Sequence, residues 1–229
     1  MKDLKLLEKI IGINFKDKKL LKNAFIHRSY LNENKSSELP SNEKLEFLGD
    51  SVLSLISSVY LYKSYPLLHE GDYTEIKSSI VRTESLAEAA KDLNLGNYLC
   101  LSKGEEINNG RKNRNILADC FEALIAVIFI DQGFKKAYAF VTEYLFNDRL
   151  TRLIDDELYL SSKSRLQEIF QNKYKTVPIY KVLEEKGPEH KRIFKVGVFK
   201  RDKKLAEATG ASKKEAEEKA AGKVLAKTP

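Results

Sequence analysis

Residues 42–50 of this 229-residue chain read Asn-Glu-Lys-Leu-Glu-Phe-Leu-Gly-Asp and open an apolar run that continues to Tyr62. The apolar residues recur at steps of three and four, which is the period of one helical face: Leu45, Leu48, Val52, Leu55 and Val59. Pro66 follows shortly after the run, and proline cannot continue a helix. The pattern predicts a mostly buried helix over about residues 43–64, with this stripe facing inward.

Two carboxylates share the opposite face of the predicted helix. Glu46 and Asp50 are four residues apart, so their side chains lie one above the other. An unpaired charge drawn toward a buried surface would cost several kcal/mol or more, so such groups neutralise, pair with a base or coordinate a metal.

A second apolar helix is predicted over residues 115–130, where Asp119 and Glu122 are the only charged residues. These two acids are three residues apart and therefore share one face. Gly133 follows at the position where helices commonly end.

The two helices together predict a metal site, with four carboxylates facing each other around hard divalent cations. Oxygen-rich sites of this kind suit Mg²⁺. The alternative is that an arginine from elsewhere neutralises each pair, which would be the better explanation of a single pair. Two pairs on two apolar helices favour the metal.

Charge divides the chain into two modules. Residues 1–162 contain 22 Lys and Arg against 24 Asp and Glu, a net of −2, whereas residues 163–229 contain 18 against 9, a net of +9. A basic second module indicates a polyanionic partner. We expect domains over residues 1–150 and 163–229, joined by a linker over 151–162.

Cysteine content and the lengths of the apolar segments indicate the cellular compartment of the protein. Cys100 and Cys120 are too few for a disulfide framework, which is typical of a protein of the reducing cytosol. The first residues show no charged-then-apolar pattern, so we expect no leader, and the apolar window over residues 118–130 is too short to span a bilayer. We expect a cytoplasmic protein with no membrane partner.

The second module predicts an α-β-β-β-α order. A capping-box pattern at Ser164 and Gln167 opens a helix to about Tyr174, three strand-like segments follow, and Ser212 begins a final helix. Lys213 and Lys214 stand in its first turn, where cations oppose the helix dipole. An anion shared with the helix N-terminus explains them better than a solvated lysine pair.

Three further local features of the first module are interpreted from the sequence. Asp72 and Glu75 have the spacing of a helix cap, with Glu70 in the loop before it. Residues 101–115 read as a polar loop, whose basic cluster of Arg111, Lys112 and Arg114 is either solvated or in contact with phosphate. His27 is interpreted as structural rather than catalytic.

Residues 42–51 resemble the ribonuclease III motif, and residues 116–124 resemble the second acidic motif of the same family. The similarity extends through residues 70–72, 103–106 and 131–133. Residues 163–229 resemble a double-stranded RNA-binding domain. Nearly the whole chain is covered, in the arrangement of bacterial ribonuclease III.

The resemblance implies an all-α N-terminal endonuclease domain followed by a small α+β RNA-binding domain. It also implies a dimeric, Mg²⁺-dependent enzyme, with Mn²⁺ able to substitute, that cuts both strands of double-stranded RNA to 5′-phosphate and 3′-hydroxyl ends. Its substrates would be structured precursors such as rRNA and mRNA. A homologue that only binds RNA should have lost some of the acids, and a nuclease directed at DNA has no use for the second module.

The resemblance assigns roles residue by residue. It implies metal binding for four carboxylates: Glu46, Asp50, Asp119 and Glu122. Among them Glu122 and Asp50 are implied to be catalytic, and catalysis depends most on Glu122. Glu43 and Glu70 would be accessory acids near the cleavage site, and Phe47 would insert into the partner subunit.

In the second module the positions that match the RNA contacts of such domains are Gln167, His190 in the loop over residues 187–190, Ser212, Lys213 and Lys214. Glu217 departs from the pattern, because many such domains have a lysine there. We expect weaker RNA binding as a consequence.

Overall fold

A computed structural model describes residues 3–155, 159–188 and 192–227, with the backbone alone for residues 147–149. The chain divides into two compact units, residues 1–156 and 157–229. No helix within the described ranges combines the length and the apolar character that a bilayer span requires.

The first unit is helical. Its helices are α1 (Leu4–Ile11), α2 (Lys18–Asn23), α3 (Arg28–Glu33), α4 (Glu43–Ser64), α5 (Glu70–Ile80), α6 (Thr83–Asp92), α7 (Lys103–Ile107), α8 (Arg114–Gln132), α9 (Phe134–Val141) and α10 (Asn147–Asp155). A π-helical turn over Thr142–Phe146 joins α9 to α10. The helical chain therefore continues to Asp155, into the segment where we expected a linker.

Helices α4 and α8 pack against each other at the centre of this unit, and both predicted helices are confirmed. The buried face of α4 consists of Leu45, Gly49, Val52, Leu53, Ile56, Ser57 and Leu61. The predicted stripe was wrong at Leu55, which is 53% exposed, because the helix turns the Gly49 side toward α8. A methyl group on Gly49 would lie 2.0 Å from the carbonyl oxygen of Glu122.

Helix α5 begins one turn earlier than its predicted cap. His69 is its N-cap residue, and the backbone N–H of His69 donates to the Asp72 carboxylate (3.0 Å). Glu70 is thus the first residue of the helix rather than a loop residue. The predicted pairing of Asp72 with Glu75 was wrong, because the Asp72 carboxylate accepts from the His69 N–H.

The segment over residues 101–115 is more ordered than predicted, since it contains α7 and a 3₁₀ turn over Gly110–Lys112. Arg111 pairs with Glu106 and donates to the carbonyls of Gly96 (2.8 Å) and Leu99 (2.9 Å). Arg111 therefore joins this segment to its neighbours and is neither simply solvated nor free for phosphate.

The second unit contains α11 (Ser162–Tyr174), β1 (Ile179–Lys186), β2 (Ile193–Lys200), β3 (Lys203–Gly210) and α12 (Lys213–Leu225). The strands form an antiparallel sheet in the order β1-β2-β3, and both helices pack on one face of it. The core between them consists of Leu166, Phe170, Val198, Ala208, Ala220, Ala221 and Val224. The predicted α-β-β-β-α order is confirmed.

The two helix starts of this unit are set by serine caps. Ser212 accepts a hydrogen bond from the backbone N–H of Glu215 (3.1 Å), as predicted. The start of α11 was predicted wrongly, because Ser161 and not Ser164 is the N-cap residue, accepting from the Ser164 N–H (3.1 Å).

Candidate metal centre and polyanion-binding surface

Three carboxylates meet where α4 and α8 cross. One oxygen from each of Glu46, Asp119 and Glu122 lies within 4.8 Å of the others, and all three side chains are partly buried. Gly49 permits this arrangement, since only a residue without a side chain lets the α4 backbone approach Glu122 so closely.

Asp50 lies at the edge of this cluster. It is exposed and does not belong to the close group of three. Its negative charge nevertheless contributes to the raised pKa of Glu122, so the two carboxylates interact electrostatically.

The three carboxyl groups of the cluster have raised pKa values. Burial raises the pKa of Glu122 to about 8, and the charges of Asp50, Asp119 and Glu46 add to the effect. Burial also raises the pKa of Glu46, with further repulsion from Asp119, and burial raises the pKa of Asp119. A cation placed among these oxygens would favour all three ionised forms.

Arginine does not supply that cation in the described part of the chain. Arg28 is the nearby candidate, but its guanidinium pairs at 3.8 Å with Glu43. No Lys or Arg within the described residues forms an ion pair with Glu46, Asp119 or Glu122. The donor set, three oxygens that no Lys or Arg of the described residues contacts in an ion pair, fits a hard divalent cation.

A cavity of about 610 Å³ opens beside the cluster. Its wall includes Glu46 and Asp119, together with Glu43, His27 and Glu105. Backbone pairing between Ile26 and Cys100 brings the start of α3 beside α7, which places His27 and Glu105 in one wall. Sequence reasoning did not place Glu105 near the site.

His27 has the structural role that its sequence context indicated. It is the N-cap residue of α3, where its Nδ1 accepts from the Ser29 N–H (3.3 Å) and lies 2.8 Å from the Ser29 hydroxyl. Burial lowers the pKa of His27, which favours the neutral form of the ring.

Two other candidate residues lie away from the three-carboxylate group. Glu70 is exposed and accepts a hydrogen bond from the Thr74 hydroxyl (3.3 Å), and it does not line the cavity. Phe47 is 78% exposed, and Leu55 and Tyr62 of the same helix are 53% and 74% exposed. Helix α4 therefore carries an uncovered apolar face beside the carboxylates.

The second unit presents its candidate contacts on both helices. Gln167 is exposed on α11, Ser212 caps α12, and the Lys213 ammonium lies 5.5 Å from the centre of the Phe194 ring. Glu217 pairs with Lys163 and so joins α12 to α11. His190 lies outside the described residues.

Comparison with known proteins gives the family. Residues 17–149 match the model described as ribonuclease-III-like, and residues 162–228 match the double-stranded RNA binding motif. The chain belongs to the ribonuclease III family. It is a double-strand-specific endoribonuclease with a double-stranded RNA-binding domain.

Curated ribonuclease III relatives match almost end to end. The chain is 42% identical to "Ribonuclease 3" of Bacillus licheniformis, over 95% of this chain and 86% of the relative. It is also 42% identical to "Ribonuclease 3" of Dehalococcoides mccartyi, over 98% and 94% of the two chains.

A solved structure supports the fold of the first unit. The nuclease domain of ribonuclease III from Campylobacter jejuni is 35% identical, with a TM-score of 0.59, and the match covers 65% of this chain and 97% of that one. A second structure of that domain has a TM-score of 0.58 at 35% identity, over 63% and 96% of the chains, and its description refers to a region involved in dimer formation.

Proposed function

We propose that this ribonuclease III is a Mg²⁺-dependent homodimer that cuts both strands of structured precursor RNAs such as rRNA and mRNA. The products carry 5′-phosphate and 3′-hydroxyl ends. The observation that carries the proposal is the group of three carboxylate oxygens within 4.8 Å, which has no arginine or lysine partner among the described residues. Cys100 and Cys120 form no disulfide bond, which suits a reducing cytoplasm.

Glu46, Asp119 and Glu122 hold the metal, and Asp50 completes the acidic set from the edge. When bound, Mg²⁺ offsets phosphate charge and lowers the pKa of water, and Mn²⁺ can replace it because it also takes oxygen ligands. Glu122 is the residue on which catalysis depends most, as its match to the family's second acidic motif implies. Its carboxyl group, whose pKa burial raises to about 8, must lose its proton to accept a cation.

The remaining acids have accessory roles. Glu43 stands on the cavity wall, held by Arg28, where it influences how phosphate approaches the site. Glu70 acts near the cleavage site only if the RNA or the partner subunit reaches it, since it lies outside the cavity wall of one chain.

Dimerisation uses the uncovered face of α4. Phe47 lies between the site residues Glu46 and Asp50 in sequence but points to solvent, and a large exposed aromatic ring is a usual anchor of a protein interface. A second chain covering this face brings two cleavage sites into one particle, as cutting both strands requires.

The second unit binds the RNA duplex through Gln167, Ser212, Lys213 and Lys214, with a further contact from His190, which precedes β2 in sequence. Gln167 lies on α11, and Ser212, Lys213 and Lys214 lie at the start of α12. Contacts from two such elements read the A-form minor groove and the phosphates rather than sequence.

A cleavage assay tests the proposal. Long duplex RNA is incubated with Mg²⁺, with Mn²⁺ or with a chelator, and the product ends are mapped. We expect metal-dependent cuts in both strands that leave 5′-phosphates. Binding without cleavage would indicate an RNA-binding homologue, and equal cleavage of duplex DNA would indicate a different substrate class.

A further inference from the structure

A second basic surface lies at the end of the RNA-binding domain away from Lys213. A cavity of about 390 Å³ opens there, lined by Tyr174, Thr176, Lys200, Arg201 and Lys203. These residues come from the end of α11 and from the turn between β2 and β3. Lys173 and Lys175 flank Tyr174 in sequence. We use the name turn-end patch for the residues that line this cavity together with these two lysines.

The two basic surfaces are separated by the length of the sheet. Lys213 lies over the ring of Phe194, near the start of β2, whereas Lys200 at the end of β2 pairs in register with Lys203. From Phe194 to Lys200 the chain advances six residues along β2, a distance of about 20 Å. Screening at physiological salt acts over about 8 Å, so the surfaces attract anions independently.

The cations of the turn-end patch are not neutralised. Its five basic residues are Lys173, Lys175, Lys200, Arg201 and Lys203. One acid, Asp202, lies among them in the turn. Among the described residues, none of its five cations forms an ion pair. The other acids of the domain's sheet are paired, as Glu207 is with Lys195 and Lys204.

An aromatic ring gives the patch a second element of nucleic-acid recognition. Tyr174 is 39% exposed, and the ammonium groups of Lys200 and Lys173 lie 3.1 Å and 5.8 Å from its ring centroid. Exposed aromatic rings among cations are typical of surfaces that follow a nucleic-acid backbone. Arg201 adopts a left-handed conformation (φ 54°) at the tip of the turn.

We propose that the turn-end patch binds the phosphodiester backbone of a second RNA segment, outside the duplex held by the start of α12. The ligand is a flanking single strand or a neighbouring helix of the same RNA, since both present the same phosphates. The proposal rests on the proposed function in one respect, which is that the duplex occupies the Lys213 end. It extends that function by giving the domain a preference for structured RNAs over short isolated duplexes.

The test uses the full-length protein in metal-free buffer, so that binding is measured without cleavage. Three labelled RNAs are compared by fluorescence anisotropy at several salt concentrations. One is a blunt duplex of about 16 base pairs, the length that such a domain spans. The second carries a single-stranded tail of roughly ten nucleotides, and the third joins the duplex to a second hairpin.

The variant is Arg201→Asn with Lys203→Gln, because asparagine tolerates the left-handed backbone at the turn. The control is Lys204→Gln with Lys219→Gln, which removes the same charge from two exposed lysines that are ion-paired to Glu207 and Glu215. Circular dichroism checks that both variants fold.

We expect the intact protein to bind at least one extended RNA more tightly than the blunt duplex. The patch variant should lose roughly 5- to 20-fold in affinity for that RNA and about one to two units of salt slope, the effect of two phosphate contacts. Its affinity for the blunt duplex should match that of the control variant. Whether the tail or the hairpin gives the gain identifies which segment is bound.

Two outcomes would overturn the inference. One is equal binding of all three RNAs by the intact protein, and the other is the same loss for the patch variant on blunt and extended RNAs. The proposed duplex surface is tested separately, because Lys213→Ala with Lys214→Ala should weaken the blunt duplex. If it does not, the duplex surface is wrong, while the comparison of blunt with extended RNA still decides the patch.

Discussion

Gly49 of α4 faces the backbone of Glu122 in α8 so closely that an added methyl group would lie 2.0 Å from the Glu122 carbonyl oxygen. This approach brings Glu46 within reach of Asp119 and Glu122. The contact at Gly49 therefore controls both the packing of the first unit and the spacing of its carboxylates.

Gly49→Ala should separate α4 from α8. Overpacking of this kind costs about 1–3 kcal/mol or more, and we expect a lower melting temperature together with a higher Mg²⁺ requirement for cleavage. Gly71→Ala is the control, because Gly71 lies in α5 with no atom near its added methyl, and alanine is the better helix former. Equal behaviour of the two variants would show that the close contact does not matter.

Glu122→Gln should nearly abolish cleavage and leave duplex binding within a few-fold. The amide keeps the shape of the side chain but cannot carry the charge that a cation requires, while most RNA affinity resides in the second unit. Single-turnover cleavage and filter binding measure the two effects. Wild-type cleavage rates would falsify the assignment, and joint loss of binding and folding would indicate a structural carboxylate.

The raised pKa of Glu122 makes the stability of the metal-free protein depend on pH. In the unfolded chain this carboxyl group ionises near its ordinary pKa of 4.5, whereas burial in the folded protein raises the pKa to about 8. Unfolding therefore releases a proton between these values, and stability falls as pH rises. Below that window both states are protonated, and above it the folded state bears the full cost of a crowded charge.

We therefore expect Glu122→Gln to be more stable than the wild type by roughly 3 kcal/mol at about pH 8 without metal, since each pKa unit corresponds to about 1.4 kcal/mol before solvent screening. The difference should shrink toward about pH 5. Thermal unfolding in chelator at both pH values measures it. Added Mg²⁺ should raise the melting temperature of the wild type alone, and a pH-independent difference between the proteins would contradict the pKa shift.

Long helices were predictable from the sequence because each is encoded by its own residues. The limits of α4 and the acids of α8 follow from local periodicity, and the charge change marks the second module. Leu55 was assigned inward because the pattern counted apolar residues alone. The buried face passes through Gly49, which has no hydrophobic side chain to reveal it.

The wall of the cavity was beyond sequence reasoning for another reason. Glu105 reaches the site because the Cys100 N–H donates to the Phe25 carbonyl (2.8 Å) and the Ser102 N–H to the Ser29 hydroxyl (3.1 Å). These hydrogen bonds join segments more than 70 residues apart. No local pattern encodes such a pairing, so His27 could be recognised as structural but not as a neighbour of the acidic cluster.

Phe47→Asp should prevent dimerisation. Placing a charge in a buried interface carries a desolvation cost that one apolar anchor cannot offset. Light scattering should give about twice the chain mass of 26.2 kDa for the wild type and about that mass for the variant. Thr74→Asp, on another helix, is a control for the added charge. A monomeric wild type that still cuts both strands together would exclude the proposed assembly.

Lys213→Ala with Lys214→Ala should weaken all duplex RNAs alike, because phosphate contacts carry no sequence information. Each lost contact lowers the log–log dependence of affinity on salt by about 0.7 to 0.9, so the slope should fall by about one or two units. Lys135→Ala with Lys136→Ala is the matched control, since it removes the same charge from two adjacent exposed lysines of α9. Binding titrations at several salt concentrations separate the pairs. If both pairs changed the slope equally, net charge rather than the start of α12 would govern RNA affinity, and the excess of +9 in residues 163–229 would act as a diffuse field.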